Sequence, residues 1–158
     1  MIGIIGGTSL LSSKVFNGWK KRSIKTPFGE VDLNTYRNFV FLQRHGNPPL
    51  PPHRINHKAN IGALKNLKVQ KVLSINSVGS LKIKIKPGTC VLPDDFISLW
   101  HIPTFFEKEM RFMVPVMDSR LRQSVFNLCN DLNIKIQSGG VYIQTVGPRL
   151  ETKAEINM

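Results

Sequence analysis

Residues 1–9 read MIGIIGGTS, and this short segment predicts the class of fold more directly than any other part of the chain. Three isoleucines around Gly3 form an apolar run as long as a buried strand, and Gly6 with Gly7 ends that run in a tight turn. Two later apolar runs, residues 39–42 and 72–75, are followed by the polar loops QRHG and NSVGS. We therefore expect three buried strands, each of which ends in a loop suited to an anion.

Helical periodicity appears between and after these strands. Apolar residues recur every four positions over residues 55–67, which predicts a helix between the second and third strands. Residues 119–132 have a similar spacing, with Asp118 or Ser119 placed to cap a helix, and residues 141–146 alternate as a strand does. Residues 94–106 show no clear period and are expected to form a loop. Thr152 and Glu155 fit the capping box that begins a helix.

The alternation of strands and helices predicts an α/β fold, in which ligands gather at the carboxyl ends of the strands. A chain of 158 residues with 41% hydrophobic content has the size of one domain, and no repeat or linker divides residues 1–158. No apolar run approaches the ~18 residues of a membrane span, and the start lacks a signal-peptide pattern, so we expect a cytoplasmic location. Cys90 and Cys129 show neither CxxC spacing nor clustered histidines, and we expect reduced, buried thiols.

The chain is strongly basic, with a formal net charge of +12. The first 80 residues hold 12 of the 22 basic side chains and only 2 of the 10 acidic ones. Such a balance is compatible with nucleic-acid binding. The basic residues are scattered, however, and no recognition helix or zinc-finger spacing accompanies them. A small anionic co-substrate is therefore the preferred partner, and nucleic acid is the alternative.

Three loops carry candidate anion ligands. Gly6 and Gly7 let the backbone approach an anion closely, and Thr8 adds a hydroxyl, although a glycine pair after a strand is often only a turn. Arg44 and His45 follow the second strand, where a guanidinium can bind two phosphate oxygens, and an arginine extending from a strand end is the alternative. The third loop offers Asn76 and Ser77 as donors to phosphate or ribose, or as a polar strand terminus.

Two further segments contain residues that could bind a metal ion or a ligand. His53 and His57 have helical spacing, but no carboxylate pair or cysteine accompanies them, so we do not expect a metal site. The segment 147–152 reads GPRLET, in which Leu150 could pack on a ring and Glu151 could accept hydrogen bonds from a heterocycle. A glutamate at the start of a helix also complements the helix dipole, which is a purely structural alternative.

Nine motifs occur in one order along the chain: IGIIGGTSL, TPFGE, QRHG, PPHRIN, ANIGALK, NSVGSL, KPG, VLPDDFI and GPRLETKAEI. In this order they closely resemble the purine nucleoside phosphorylase and methylthioadenosine phosphorylase family. The resemblance implies a mixed central sheet flanked by helices and a trimer with active sites near the subunit interfaces. It also implies that no metal or organic cofactor is needed, with inorganic phosphate as the co-substrate.

The resemblance also implies roles for individual residues. Five of them match the family's phosphate-binding positions, although the residue type at position 77 varies between members: Thr8, Arg44, His45, Asn76 and Ser77. In the purine-binding segment, Leu150 would pack on the base. Glu151 matches the glutamate with which oxopurine-specific members read the base, where adenine-preferring members have a small hydroxyl residue. The histidine that some relatives send into a neighbouring subunit's site aligns with Glu109 in this chain.

The implied reaction is phosphorolysis of a purine nucleoside to the free base and a ribose 1-phosphate. Glu151 favours an oxopurine substrate such as inosine, guanosine or S-methyl-5'-thioinosine, and 5'-methylthioadenosine phosphorylase is the alternative. Members of the family continue well beyond the AEI segment, so we expect a domain truncated at its C-terminus. A partner chain could supply the remainder, or the chain could be an inactive remnant that binds phosphate or a sister chain.

Overall fold

The computed structural model describes residues 1–10, 12–100 and 102–158. These residues form two compact units, which we describe separately. Unit 1 comprises Met1–Val78 with Pro103–Phe105, and unit 2 comprises Gly79–Ile102 with Phe106–Met158. The expectation of a single domain over residues 1–158 stays a prediction.

A five-stranded mixed sheet forms the centre of unit 1, with its strands in the order β2-β3-β4-β1-β5. Central β1 pairs in parallel with β4 on one side and with β5 on the other, and β3 pairs antiparallel with both β2 and β4. The three strands expected from the apolar runs are therefore adjacent and parallel. The elements of unit 1 are β1 Ile2–Gly6, β2 Lys20–Thr26, β3 Gly29–Tyr36, β4 Phe39–Gln43, helix α1 His57–Asn66 and β5 Lys71–Ile75.

The core of unit 1 lies between one face of this sheet and α1. Alternate residues of β3 and β4 point into it, and α1 contributes small residues that let the helix approach the sheet closely. Val40 and Leu42 are fully buried. The buried apolar residues of this core are Val31, Leu33, Val40, Leu42, Ala59, Ala63 and Leu64.

Helix α1 begins two residues later than the periodicity suggested. The side chain of Asn56 accepts a hydrogen bond from the Ala59 amide at 3.0 Å, which makes Asn56 the N-cap and His57 the first helical residue. The Asn56 side-chain amide also donates to the Phe28 carbonyl at 2.7 Å. The cap therefore ties the start of α1 to the turn between β2 and β3.

The β2–β3 hairpin was not among the expected strands. Its first strand carries Lys20, Lys21 and Arg22 at the edge of the sheet, so apolar alternation is weak there. The Thr26 hydroxyl organises the turn by accepting from the Phe28 amide at 3.1 Å and donating to the Gly29 carbonyl at 2.6 Å. Cross-strand pairing and this local turn thus create a strand that hydrophobic periodicity alone does not reveal.

Unit 2 contains two parallel strand pairs, β6 with β8 and β7 with β9, together with two helices. Helix α2 confirms the expected amphipathic helix, and Asp118 caps it by accepting from the Leu121 amide at 2.9 Å. Arg122 of α2 donates to the Pro93 carbonyl and to the Ser138 hydroxyl, which fastens the helix to the ends of β6 and β8. The elements are β6 Cys90–Leu92, β7 Asp95–Ser98, α2 Ser119–Asp131, β8 Ile136–Ser138, β9 Val141–Gln144 and α3 Lys153–Asn157.

Two expectations for unit 2 are wrong. Within residues 94–106, of which position 101 lies outside the described part, Asp95–Ser98 forms a strand because it pairs in register with Val141–Gln144. A four-residue strand is too short to show a period, and its partner lies far along the chain. The cysteines are not buried: Cys90 is exposed and Cys129 is half-buried. Cys90 opens a short strand that pairs on one side only, which leaves it open to solvent.

The helices of the described residues are short. The longest, α2, has 13 residues. None of them combines the length and the apolar character that a bilayer-crossing helix requires.

Replacing Leu42 by alanine should lower the free energy of unfolding by about 2–5 kcal/mol, because the fully buried side chain would leave a cavity between the sheet and α1. Leu99→Ala is the control, since Leu99 is 64% exposed and should change stability by less than about 0.5 kcal/mol. Urea unfolding curves of both variants measure the difference. Equal losses would contradict this account of the core.

Candidate functional site

The carboxyl ends of β1, β4 and β5 meet at one edge of the unit 1 sheet. Gly6, the last residue of β1, pairs with Gln43 of β4 and with Ile75 of β5. Past this edge, the Gly7 amide donates to the Ile75 carbonyl at 3.2 Å, and the Arg44 amide donates to the Gly6 carbonyl at 3.1 Å. The three loops expected to bind an anion therefore begin side by side.

The guanidinium of Arg44 joins these three loops. A Cβ atom built on Gly7 would lie 3.2 Å from Nη2 and 3.3 Å from Cζ of Arg44, so the guanidinium lies close against the Gly7 backbone. Nη1 donates to Oδ1 of Asn76, and Nε donates to Nε2 of His45 at 3.3 Å. A side chain at position 7 would be in tight contact with the guanidinium and would require it to shift by a few tenths of an ångström. These two acceptors are a ring nitrogen and an amide oxygen rather than carboxylates, so the two contacts leave the positive charge of Arg44 available to an anion.

His45 is the buried member of the group, at 2% exposure. Its Nδ1 lies 2.8 Å from the Leu50 carbonyl, and its Nε2 accepts from Arg44. The Leu50 amide in turn donates to the His45 carbonyl at 2.7 Å, which closes the loop between the two residues. The histidine is thus fixed on one side by its own loop and on the other by the arginine.

Two supporting residues were not recognised in the sequence. Nε2 of Gln43 donates to the Gly7 carbonyl at 3.1 Å, and Nδ2 of Asn60 in α1 donates to the Arg44 carbonyl at 2.9 Å. Both are half-buried polar residues whose partners lie 36 and 16 positions away, respectively. In the sequence, each of them is a polar residue in an otherwise apolar segment, and this pattern does not indicate which residue it contacts.

The structure brings Thr8 and Ser77 to the same edge of the sheet. Thr8 opens a short 3₁₀ turn, Thr8–Leu10, and Ser77 follows Asn76 directly. Both residues are exposed, in contrast to the half-buried Arg44 and Asn76. All five residues expected to bind phosphate therefore lie in unit 1, with the arginine, histidine and asparagine in direct contact and the two hydroxyl residues beside them.

His57, at the start of α1, is also electrostatically connected to this edge. Its pKa is lowered from the ordinary value, mainly by partial burial and then by the positive charge of Arg44. Within the described part of the chain, no group of three or more histidine, cysteine, aspartate or glutamate side chains is arranged to hold a metal ion.

In unit 2, Glu151 is held by a neighbouring hydroxyl. Thr145 donates to Oε1 of Glu151 at 2.5 Å, and this hydrogen bond is the main reason that the pKa of Glu151 is lowered. The carboxylate is therefore ionised at neutral pH and acts as an acceptor only. Leu150 beside it is 85% exposed, so its side chain is available for an apolar contact.

The segment around Glu151 is fixed by a capping box and an ion pair. Thr152 accepts from the Glu155 amide at 3.2 Å, while the Glu155 carboxylate accepts from the Thr152 amide at 2.7 Å. Arg149 donates to both carboxylate oxygens of Glu155, at 2.7 and 2.8 Å, and lowers its pKa to about 2. The expected capping box is confirmed. Arg149 and Glu155, which flank Glu151 in the sequence, are joined by their ion pair.

Comparison with known proteins identifies the family to which the chain belongs. The profile described as the Phosphorylase superfamily matches residues 2–158. The chain belongs to this superfamily. The resemblance to purine nucleoside and methylthioadenosine phosphorylases is therefore confirmed, as is the α/β fold with a mixed sheet.

Individual members of the superfamily cover the whole chain. It is 38% identical to a probable 6-oxopurine nucleoside phosphorylase of Archaeoglobus fulgidus, over 100% of this chain and 68% of that protein. It is 40% identical to a probable S-methyl-5'-thioinosine phosphorylase of Methanocaldococcus jannaschii, over 99% of this chain and 64% of that protein. A crystal structure of a methylthioadenosine phosphorylase from an antarctic soil metagenomic library has a TM-score of 0.82 and 29% identity, covering 99% and 60% of the two chains. The phosphorylase chain described here thus spans about two thirds of the length of its relatives.

Replacing His57 by glutamine should make the stability of this phosphorylase chain less sensitive to acid. The folded chain holds the His57 pKa below its ordinary value of 6.5, so the unfolded chain binds this proton more readily. Stability from His57 is therefore fully present above pH 6.5 and is lost as the pH falls toward the lower pKa of the folded chain. Urea midpoints at about pH 7.5 and about pH 5.5 measure the loss, which should be smaller in His57→Gln. The same loss in both proteins would contradict the assigned cause.

Proposed function

We propose that unit 1 binds inorganic phosphate for the phosphorolysis of a purine nucleoside. The observation that carries this proposal is the Arg44 guanidinium, which lies against Gly7 and donates hydrogen bonds to His45 of its own loop and to Asn76 of the loop after β5. A fixed guanidinium beside exposed hydroxyl residues suits a tetrahedral anion with several acceptor oxygens. Thr8, Arg44, Asn76 and Ser77 are the proposed direct ligands, and His45 is the fifth residue of the proposed site.

In the proposed reaction a phosphate oxygen attacks the anomeric carbon of the sugar. A carbon–oxygen bond forms to phosphate while the glycosidic carbon–nitrogen bond breaks, and the base leaves with the bonding electron pair and takes up a proton. The developing positive charge on the sugar lies against the phosphate anion, which stabilises it. The protein positions the two reactants and supplies electrostatic stabilisation, so no metal or organic cofactor is needed in this scheme.

We assign the purine contact to Glu151, with Leu150 beside it. An ionised carboxylate accepts hydrogen bonds and cannot donate them. A 6-oxopurine presents a ring N–H at position N1, whereas adenine presents an unprotonated acceptor there. The pKa of Glu151, lowered by the Thr145 hydrogen bond, therefore favours an oxopurine such as that of inosine, guanosine or methylthioinosine.

Methylthioadenosine phosphorolysis is the second candidate. Its support is the structural likeness to a methylthioadenosine phosphorylase, at a TM-score of 0.82. The charge of Glu151 argues against it, because adenine offers its N1 lone pair to the carboxylate.

The proposal also includes a homotrimer, a complementing chain and a cytoplasmic location. Nucleic-acid binding, which rests on the net charge alone, remains the less favoured partner.

Arg44→Ala should reduce phosphate-dependent cleavage of inosine and methylthioinosine by about 10²-fold or more, because it removes the fixed positive charge of the anion site. Arg22→Ala is the matched control, since it removes the same charge from the exposed edge strand β2 and should change the rate less than about twofold. Rates are measured as a function of phosphate concentration. Equal effects of the two substitutions would favour a diffuse role of charge, and absence of turnover by the wild-type chain would refute the proposed activity.

Glu151→Gln should lower the preference for oxopurine over adenine nucleosides by at least about tenfold, because the amide can donate to adenine N1 and lacks the negative charge. The ratio of kcat/KM for methylthioinosine to that for methylthioadenosine measures this preference. Asp131→Asn, a change of the same kind at an exposed position of α2, should leave the ratio unchanged. An unchanged ratio in Glu151→Gln would remove this residue from base recognition.

A further inference from the structure

We infer that His45 is a positioning residue, which orients the Arg44 guanidinium and makes no ring contact with phosphate. This inference rests on the proposed phosphate site. The family resemblance places His45 among the phosphate ligands, but the geometry of the ring indicates an indirect role. Three observations carry the argument: the partners of the two ring nitrogens, the burial of the ring, and the position of the guanidinium.

The partners of the ring determine its protonation state. The Leu50 carbonyl can only accept, so Nδ1, 2.8 Å away, must carry the proton. The Nε–H of Arg44 can only donate, so Nε2 of His45 must be unprotonated. His45 is therefore the neutral tautomer with hydrogen on Nδ1. Both ring nitrogens are engaged by protein groups, and the residue is 2% exposed, so the ring presents no donor to an anion.

The same contacts determine the orientation of Arg44. Nε is bound to His45 and Nη1 to Asn76, and two contacts at different nitrogens fix the plane of a guanidinium. Nη2 is then the nitrogen nearest to Gly7, at 3.2 Å from the position of a Cβ there. His45 thereby holds the edge of the guanidinium that carries Nη2 toward the loop at the end of β1.

Two substitutions separate the two hydrogen bonds of the ring. Asparagine at position 45 places an amide N–H near the Nδ1 position, so it can bind Leu50 but offers no acceptor to Arg44. Glutamine places its carbonyl oxygen near the Nε2 position, so it can accept from Arg44 without the bond to Leu50. A positioning role therefore requires His45→Gln to bind phosphate better than His45→Asn.

The first measurement is the nitrogen NMR spectrum of the His45 ring and of the Arg44 Nε–H in the wild-type chain. The expected signature is a ring protonated at Nδ1 only and an Arg44 Nε–H that exchanges slowly with water. In His45→Asn the Arg44 Nε–H should exchange faster, and in His45→Gln it should stay protected. A ring protonated at Nε2, or an unchanged Arg44 signal in His45→Asn, would overturn the inference irrespective of any activity.

The second measurement is the dissociation constant of inorganic phosphate, determined by calorimetry in two backgrounds. His45→Asn should weaken binding by about tenfold when Arg44 is present, because the lost hydrogen bond involves a charged group. In an Arg44→Lys background, where the side chain keeps its charge but has no Nε–H of this kind, the same substitution should change binding less than about twofold. His45→Gln should stay within about threefold of wild type.

The outcomes distinguish this inference from the proposed function. An equal loss from His45→Asn in both backgrounds would show that His45 contacts phosphate directly and would overturn the inference alone. Phosphate binding that is absent from the wild-type chain would overturn the proposed function, and with it the role of His45 in that site. A loss of phosphate binding in His45→Asn that occurs only when Arg44 is present, together with near-normal binding in His45→Gln, supports both the inference and the proposed function.

Discussion

The close approach of the Arg44 guanidinium to the Gly7 backbone is the contact on which the candidate site of unit 1 depends. It exists because β1 is paired in parallel with both β4 and β5, so that the three strands end at the same level. If β4 or β5 ran antiparallel to β1, that strand would begin at this edge of the sheet, and the loop that follows it would lie at the opposite edge. The sheet topology thus supplies the proximity, and Gly7 supplies the space for a side chain that carries the charge.

The two candidate ligand groups are stabilised in different ways. In unit 1, Arg44 is held by its neighbour His45 and by two residues distant in sequence, Asn60 of α1 and Asn76 of the loop after β5. In unit 2, Glu151 is held by local contacts within a segment of about ten residues, including the Thr145 hydrogen bond and the Thr152 capping box. A charge fixed by long-range contacts depends on the whole sheet, whereas one fixed by a helix start depends mainly on its own turn.

This difference explains what the sequence could predict. The capping box at Thr152, the α2 helix and the parallel-strand runs have signals within a few residues of themselves, and each was found. Several other features depend on partners far along the chain, and these were missed. They are the β2–β3 hairpin, strand β7, and the hydrogen bonds from Gln43 to Gly7 and from Asn60 to Arg44. The exposure of Cys90 was missed for the same reason, because it depends on which side of a short strand is paired.

The arrangement of the positive charges in unit 1, rather than their number, determines which kind of anion unit 1 would bind. Residues 1–78 hold 12 basic and 2 acidic side chains, most of them exposed, and such charges attract any anion at long range with strong screening by salt. Arg44 differs because it is half-buried, oriented by His45 and Asn76, and placed against the Gly7 backbone at the end of β1. The diffuse charge would raise the local concentration of anions, while in the proposed site the fixed guanidinium would select one that can use several donors at once. A small oxyanion meets that condition, since it fits within the reach of one guanidinium and the neighbouring loops, whereas an extended polyanion would engage the scattered lysines instead.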